Sequence, residues 1–171
     1  MKIILRKIQE NGMKRAERAE ENFKKGLNCA QSVVLAFSDL TGMSREDLLR
    51  ISAPFGGGIG RMREVCGTVS GMMMIAGLVF YNAKSPTTKE KSELYAREQE
   101  LASRFRKMNG SIICRELLSG VTSDSSPRAE ERTEEYYKKR PCSQLCADAA
   151  TILEEYLKEQ GILDAEGERV E

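Results

Sequence analysis

Residues 55–71 read FGGGIGRMREVCGTVSG, and the reading of this stretch decides the fold. It holds six of the 14 glycines and one of the five cysteines. A dinucleotide cradle needs Gly-x-Gly-x-x-Gly between a strand and a helix, and a P-loop needs Gly-Lys-Ser/Thr. Here Gly56-Gly57-Gly58-Ile59-Gly60 follows Pro54-Phe55 with no strand-like run before it, and no Gly-Lys-Ser/Thr follows. The stretch therefore speaks against an α/β nucleotide fold. What remains is a tight turn that uses positive φ and close backbone approach and sets Cys66 at the start of a buried helix. Gly67, Gly71 and Gly77 fall inside that helix, where each glycine costs about 1 kcal/mol. A closely packed neighbour or a bound group accounts for them better than chance. Met72, Met73 and Met74 read as core filler.

Outward from this stretch the pattern is helical. Lys2 to Lys25 is charged, with Met13, Ala16, Ala19 and Phe23 at three- and four-residue steps, an amphipathic helix closed by Gly26. Asn28 is placed to cap a helix from Cys29 to about Leu40, with a stripe of Cys29, Val33, Ala36 or Phe37, and Leu40. Ser44 caps a short helix, with Asp47 three residues on. The helix after Cys66 runs to Tyr81. Lys89 to Met108 carries a stripe of Leu94, Leu101, Phe105 and Met108 and stops at Asn109-Gly110. Ser111 caps a short helix bearing Cys114. The polar stretch Ser119–Pro127 is expected to be flexible. Arg128–Lys139 is charged, with Glu130 to Glu135 read as a solvated face. Pro141 opens a last helix with the stripe Cys142, Cys146, Ala149 or Ala150, Leu153 and Leu157. No run alternates with period two. The expected architecture is an all-α, single-domain bundle of about five to seven helices with a Gly-rich loop. Residues 1–25 are a helix packed on or extending from it, 26–160 the cysteine-containing domain, and 161–171 an acidic, loose tail.

Composition narrows the chemistry. Lys and Arg number 27 and Asp and Glu 26, a net charge of +1, so nothing points to nucleic acid or an anionic surface. Val69–Tyr81 is too short to span a bilayer, and Ile3–Leu5 too short for a signal peptide. The expectation is a cytoplasmic protein without direct membrane insertion. Histidine is absent, which removes imidazole ligands, a histidine base and histidine-ligated haem. The chemistry then falls to Cys29, Cys66, Cys114, Cys142 and Cys146. Four of them sit at or near expected helix N-termini, where the helix dipole favours a thiolate. Arg61 and Arg63 add to that field at Cys66 and Glu64 opposes it.

GLNCAQSVVLAF (26–37), FGGGIGRMREVCGTVSGMMMIAGL (55–78), GSIICRELL (110–118) and RPCSQLCADAATIL (140–153) occur in this order. Together they resemble the redox-active C_GCAxxG_C_C family, named for its cysteine pattern. The resemblance implies Cys29, Cys66, Cys114 and Cys142 as the patterned cysteines and electron-transfer company. Cys146 is then an extra. The central element departs from the pattern: Cys66-Gly67-Thr68 stands where the family name has Gly-Cys-Ala.

Three readings stay open. In the first, the four cysteines carry thiol redox or electron transfer, Cys66 being the expected nucleophile. Gly57, Gly58, Gly60, Gly67 and Thr68 shape the site, and Thr68 is placed to donate to a thiolate or a cluster sulfur. In the second, the same cysteines, with Cys146 if Cys142-x-x-x-Cys146 chelates, hold an iron–sulfur cluster or zinc; a C-x-x-C-H haem attachment is missing. In the third, the chain is a non-catalytic helical interaction module with core cysteines. The redox partner is not identified by sequence, and a homo-oligomer is left open.

Overall fold

The computed structural model describes residues 14–84, 86–122 and 124–170. Eight α-helices follow in order: α1 (Arg15–Lys24), α2 (Cys29–Ala36), α3 (Arg45–Ser52), α4 (Gly67–Phe80), α5 (Thr88–Asn109), α6 (Cys114–Leu117), α7 (Glu134–Lys139) and α8 (Cys142–Glu159). They form one all-α domain. Among the described residues there are no strands, only two isolated bridges. The count exceeds the expected five to seven because α6 and α7 are short, four and six residues long. No helix among the described residues is long and apolar enough to cross a membrane.

α2 is the centre of the molecule. Every residue but Gln31 is buried, because α1, α3, α4 and α8 all pack on it. The expected single helix to Leu40 ends early: Phe37 leaves helical geometry and a 3₁₀ turn, Ser38–Leu40, follows. α4 approaches α2 so closely that a Cβ on Gly71 would lie 3.0 Å from both Ala30 O and Val33 Cβ. Gly77 meets nothing within 4 Å, so close packing explains Gly67 and Gly71 but not Gly77. α8 buries Cys142, Cys146, Ala149, Ala150, Leu153 and Leu157 as its periodicity requires. α5 turns Leu101, Ala102 and Phe105 inward, whereas Met108 is exposed. Gly110, at φ 86°, closes that helix.

α1 packs into the core. It buries Arg15, Ala19 and Phe23 against α2 and α8. Met13 and the rest of the expected helix from Lys2 lie outside the described residues. Arg15 lies outside the expected apolar stripe, yet it is only 3% exposed. It grips Asp39 with two bonds of 2.7 and 2.8 Å and donates to Ala36 O and Gly167 O, each at 3.0 Å. The last of these bonds joins Gly167 to α1. Leu163 is buried and bridges to Arg169, and a turn at Asp164–Gly167 carries the Gly167 carbonyl to Arg15.

Candidate functional site

Four helices begin at a cysteine. Cys29, Cys114 and Cys142 are the first residues of α2, α6 and α8, and Cys66 immediately precedes α4. Packing brings these starts together, and all four cysteines line one cavity of about 300 Å³. Cys146, one turn into α8, is fully buried behind it, with its thiol 3.9 Å from the Cys29 carbonyl oxygen.

Local structure holds each thiol. The Asn28 side chain accepts from the Gln31 N–H at 2.9 Å, and Gln31 accepts in return from the Asn28 N–H at 3.1 Å. This reciprocal cap fixes the first turn of α2 and Cys29 with it. Cys66 and Cys114 are set side by side by backbone pairing. Val65 bridges Ile113, the Cys66 N–H donates to Ile112 O at 2.8 Å, and the Cys114 N–H donates to Glu64 O at 2.7 Å. A pairing one residue long leaves no period in the sequence.

The segment before Cys66 is unusual backbone. Residues 57–61 all have positive φ, and so does Arg63. Three of these six, Ile59, Arg61 and Arg63, are not glycine, a strained state that is worst for a β-branched side chain. Backbone bonds hold it: the Gly60 N–H to Pro54 O at 2.7 Å, Arg63 N–H to Gly57 O at 3.2 Å and Glu64 N–H to Gly58 O at 3.1 Å. A Cβ on Gly58 would sit 2.7 Å from Cys114 Cβ, and one on Gly67 would sit 3.1 Å from Cys29 Cβ. Gly57 and Gly60 line the cavity. Gly58, Gly67 and Thr68 stand behind its wall, against Cys114, Cys29 and Cys66.

Burial governs the thiols. It pushes Cys66 up to about 12, although Thr68, whose hydroxyl lies 3.1 Å from the sulfur, pulls the other way. Burial thus outweighs the field of the helix start at Cys66. Its arginine neighbours turn elsewhere: Arg61 binds Asp124 at 2.8 Å and Ser126 O at 2.8 Å, and Arg63 approaches Cys114. There burial raises the thiol and Arg63 partly offsets it, leaving Cys114 above its ordinary value. Cys29 and Cys142 lie close enough to act on each other's ionisation. At Cys29 the Cys142 thiol pulls the pKa down, while Cys146, burial and the neighbouring thiols push it up, and the net is well above the ordinary value. Cys142 is also held well above, by Cys29 and by burial, against Arg140 and Arg132.

The polar lining was mostly invisible in the sequence. Arg61, Arg63, Arg132 and Arg140 line the cavity with a single carboxylate, Glu130. Glu130, read as part of a solvated face, instead binds Arg140 at 2.6 Å and Arg61 at 3.3 Å. Arg132 is stacked over the rings of Phe23 and Tyr136 at 4.4 and 4.6 Å. The stretch expected to be flexible supplies Asp124 and Ser126 to Arg61 and Arg63.

Sulfur-only coordination of zinc or an iron–sulfur cluster needs several donors converging on one point. Among the described residues no three Cys, Asp or Glu side chains come together so as to hold a metal ion.

The family model described as "Putative redox-active protein (C_GCAxxG_C_C)" matches residues 27–156. The chain belongs to this family. The match covers all five cysteines and most of the cavity. No curated protein and no solved structure matches the chain. The matched span includes the four helix starts gathered around one cavity.

Proposed function

We propose that this protein is a thiol-based redox protein in which Cys29 and Cys142 cycle between dithiol and disulfide. The observation that carries this reading is that these two thiols stand together in the wall of the shared cavity, close enough to act on each other's ionisation. The family's description as redox-active supports it. Oxidation joins the two sulfurs and releases two electrons and two protons. A substrate disulfide accepts them and leaves as two thiols, by way of a mixed disulfide. Both thiols are held protonated at neutral pH, so exchange accelerates as pH rises. Cys66 and Cys114 line the same cavity, with Cys114 beside Arg63. Cys146 backs Cys29 from the core.

The test is a linkage map. The protein is incubated with a small disulfide oxidant, quenched by alkylation and digested. The expected product is one Cys29–Cys142 bridge, with Cys66, Cys114 and Cys146 still thiols, fully reversed by reductant. Five free thiols after oxidation, or a bridge that omits both residues, would overturn the proposal. So would stoichiometric zinc, or iron with sulfide, in protein purified without oxygen or chelator.

A further inference from the structure

We infer that the cysteine cavity binds a small ligand through an oxyanion group, held by the guanidinium groups of Arg63 and Arg132 with the rest of the ligand against the thiols. As a statement about substrate this rests on the dithiol reading above; as an anion site it does not.

The first argument is charge. Four arginines face the cavity against one carboxylate. Glu130 is already committed to Arg140 at 2.6 Å and Arg61 at 3.3 Å, and it stands 3.8 Å from Arg63. Asp124 answers Arg61. The lining keeps an excess of positive charge away from bulk water, where a buried cation is costly unless paired.

The second argument is geometry. Arg63 is 6% exposed. Its Nε donates to Asp124 O at 2.8 Å, but its Nη2 is buried with no hydrogen-bond partner among the described residues. Arg132 repeats the pattern. Its Nη2 donates to Leu27 O at 3.3 Å while its Nη1 is buried without a partner among the described residues. Neither side chain is loose: Arg63 is fixed by strained backbone at φ 62° and Arg132 by aromatic rings. Two positioned guanidinium groups with unused donors match the acceptors of a carboxylate, phosphate or sulfate. α8 also opens at Cys142 with no side chain capping it, so its N-terminal N–H groups add to the same field. The cavity's volume suits a small molecule. A wider groove of about 460 Å³ adjoins it and shares Glu130, Tyr136 and Arg140.

The experiment has two arms, both on the full chain. In the first, Tm is followed at low ionic strength as sodium sulfate or phosphate is added at low millimolar concentration, against chloride of equal ionic strength. The expected result is a saturable rise with the oxyanions alone. It disappears in Arg63→Gly, whose φ suits glycine, and in Arg132→Met, which keeps the packing volume; circular dichroism checks that both fold. In the second arm, iodoacetate and iodoacetamide compete for the cavity thiols. Their rate ratio should shift towards iodoacetate by about tenfold relative to the unfolded chain, and the shift should vanish in Arg63→Gly. A response only to sulfate or phosphate assigns the site to a free inorganic oxyanion. A response only to iodoacetate assigns it to a carboxylate-bearing small molecule. No response in either arm, or one unchanged in both arginine variants, overturns the inference. A Cys29–Cys142 bridge without any anion response would remove this inference alone. An anion response without the bridge would remove the redox reading alone.

Discussion

The two ends of α2 are each met by a buried arginine, and the two arginines are treated differently. At the C-terminal end Arg15 spends both Nη atoms on two carbonyls and a bidentate carboxylate, leaving only Nε without a partner among the described residues. Burial works against ionisation of Asp39, but Arg15 outweighs it and holds the carboxyl below its ordinary range. At the N-terminal end Arg63 makes one backbone bond, leaves Nη2 without a partner among the described residues and sits on strained backbone. The saturated guanidinium holds the chain together, joining α1, the α2 end and the tail. The other keeps an unused donor at the cavity, where the anion is proposed to bind.

The largest expected effect separates these roles. Arg15→Met should cost about 2–4 kcal/mol, because it strands two carbonyls and half-exposed Asp39 together. Arg63→Gly should lie within about 1 kcal/mol of the parent, since lost contacts are offset by relief of positive φ and of a buried donor without a hydrogen-bond partner. Urea unfolding of the two variants checks this. Equal costs at both sites would erase the distinction between a structural and a ligand-facing arginine.

The thiols give a second way to sharpen the contrast. Burial lifts Cys66 from its ordinary 9.0 to about 12. The folded state therefore keeps a proton that the unfolded chain releases. The stabilisation is fully present below the unfolded pKa and is lost as pH rises from there through about 12. Stability should fall across that window, and less steeply in Cys66→Ala. Alkylation of Cys66 in the native protein should be negligible at neutral pH. A Cys66 that reacts readily at pH 7 would mean that its end of α2 is more open than the packing implies.

What the sequence could and could not convey follows the same division. The α8 stripe from Cys142 to Leu157, the caps at Asn28 and Ser44 and the stop at Gly110 were legible, because each is written within a few consecutive residues. The four cysteines were legible as helix starts for the same reason. How they converge was not, since the Val65–Ile113 bridge sets Cys66 beside Cys114 and helix packing on α2 brings in Cys29 and Cys142. Arg132, Arg140 and Glu130 were lost in a charged run that looks solvated. Arg132 is drawn inward by the rings of Phe23, Tyr136 and Tyr137, which are distant in sequence or silent about their facing. Arg63 was noticed beside Cys66, yet the local turn aims it at Cys114.

The smallest expected effect tests how far the close packing on α2 extends. Gly67 and Gly71 press α4 on to the cavity end and middle of α2, where an added Cβ meets backbone. Gly77 lies in the last turn of the same helix with nothing within 4 Å. Its backbone is not among the positive-φ positions, so alanine fits without strain. Gly77→Ala should therefore stabilise the protein by about 0.5–1 kcal/mol through helix propensity and reduced chain entropy. Gly71→Ala should instead destabilise it, because Ala30 O and Val33 Cβ, each 3.0 Å away, must give. Thermal unfolding of the pair decides between them. If both alanines stabilised, α4 would have room to move away from α2, and the wall that holds Cys66 against Cys114 would be softer than its hydrogen bonds suggest.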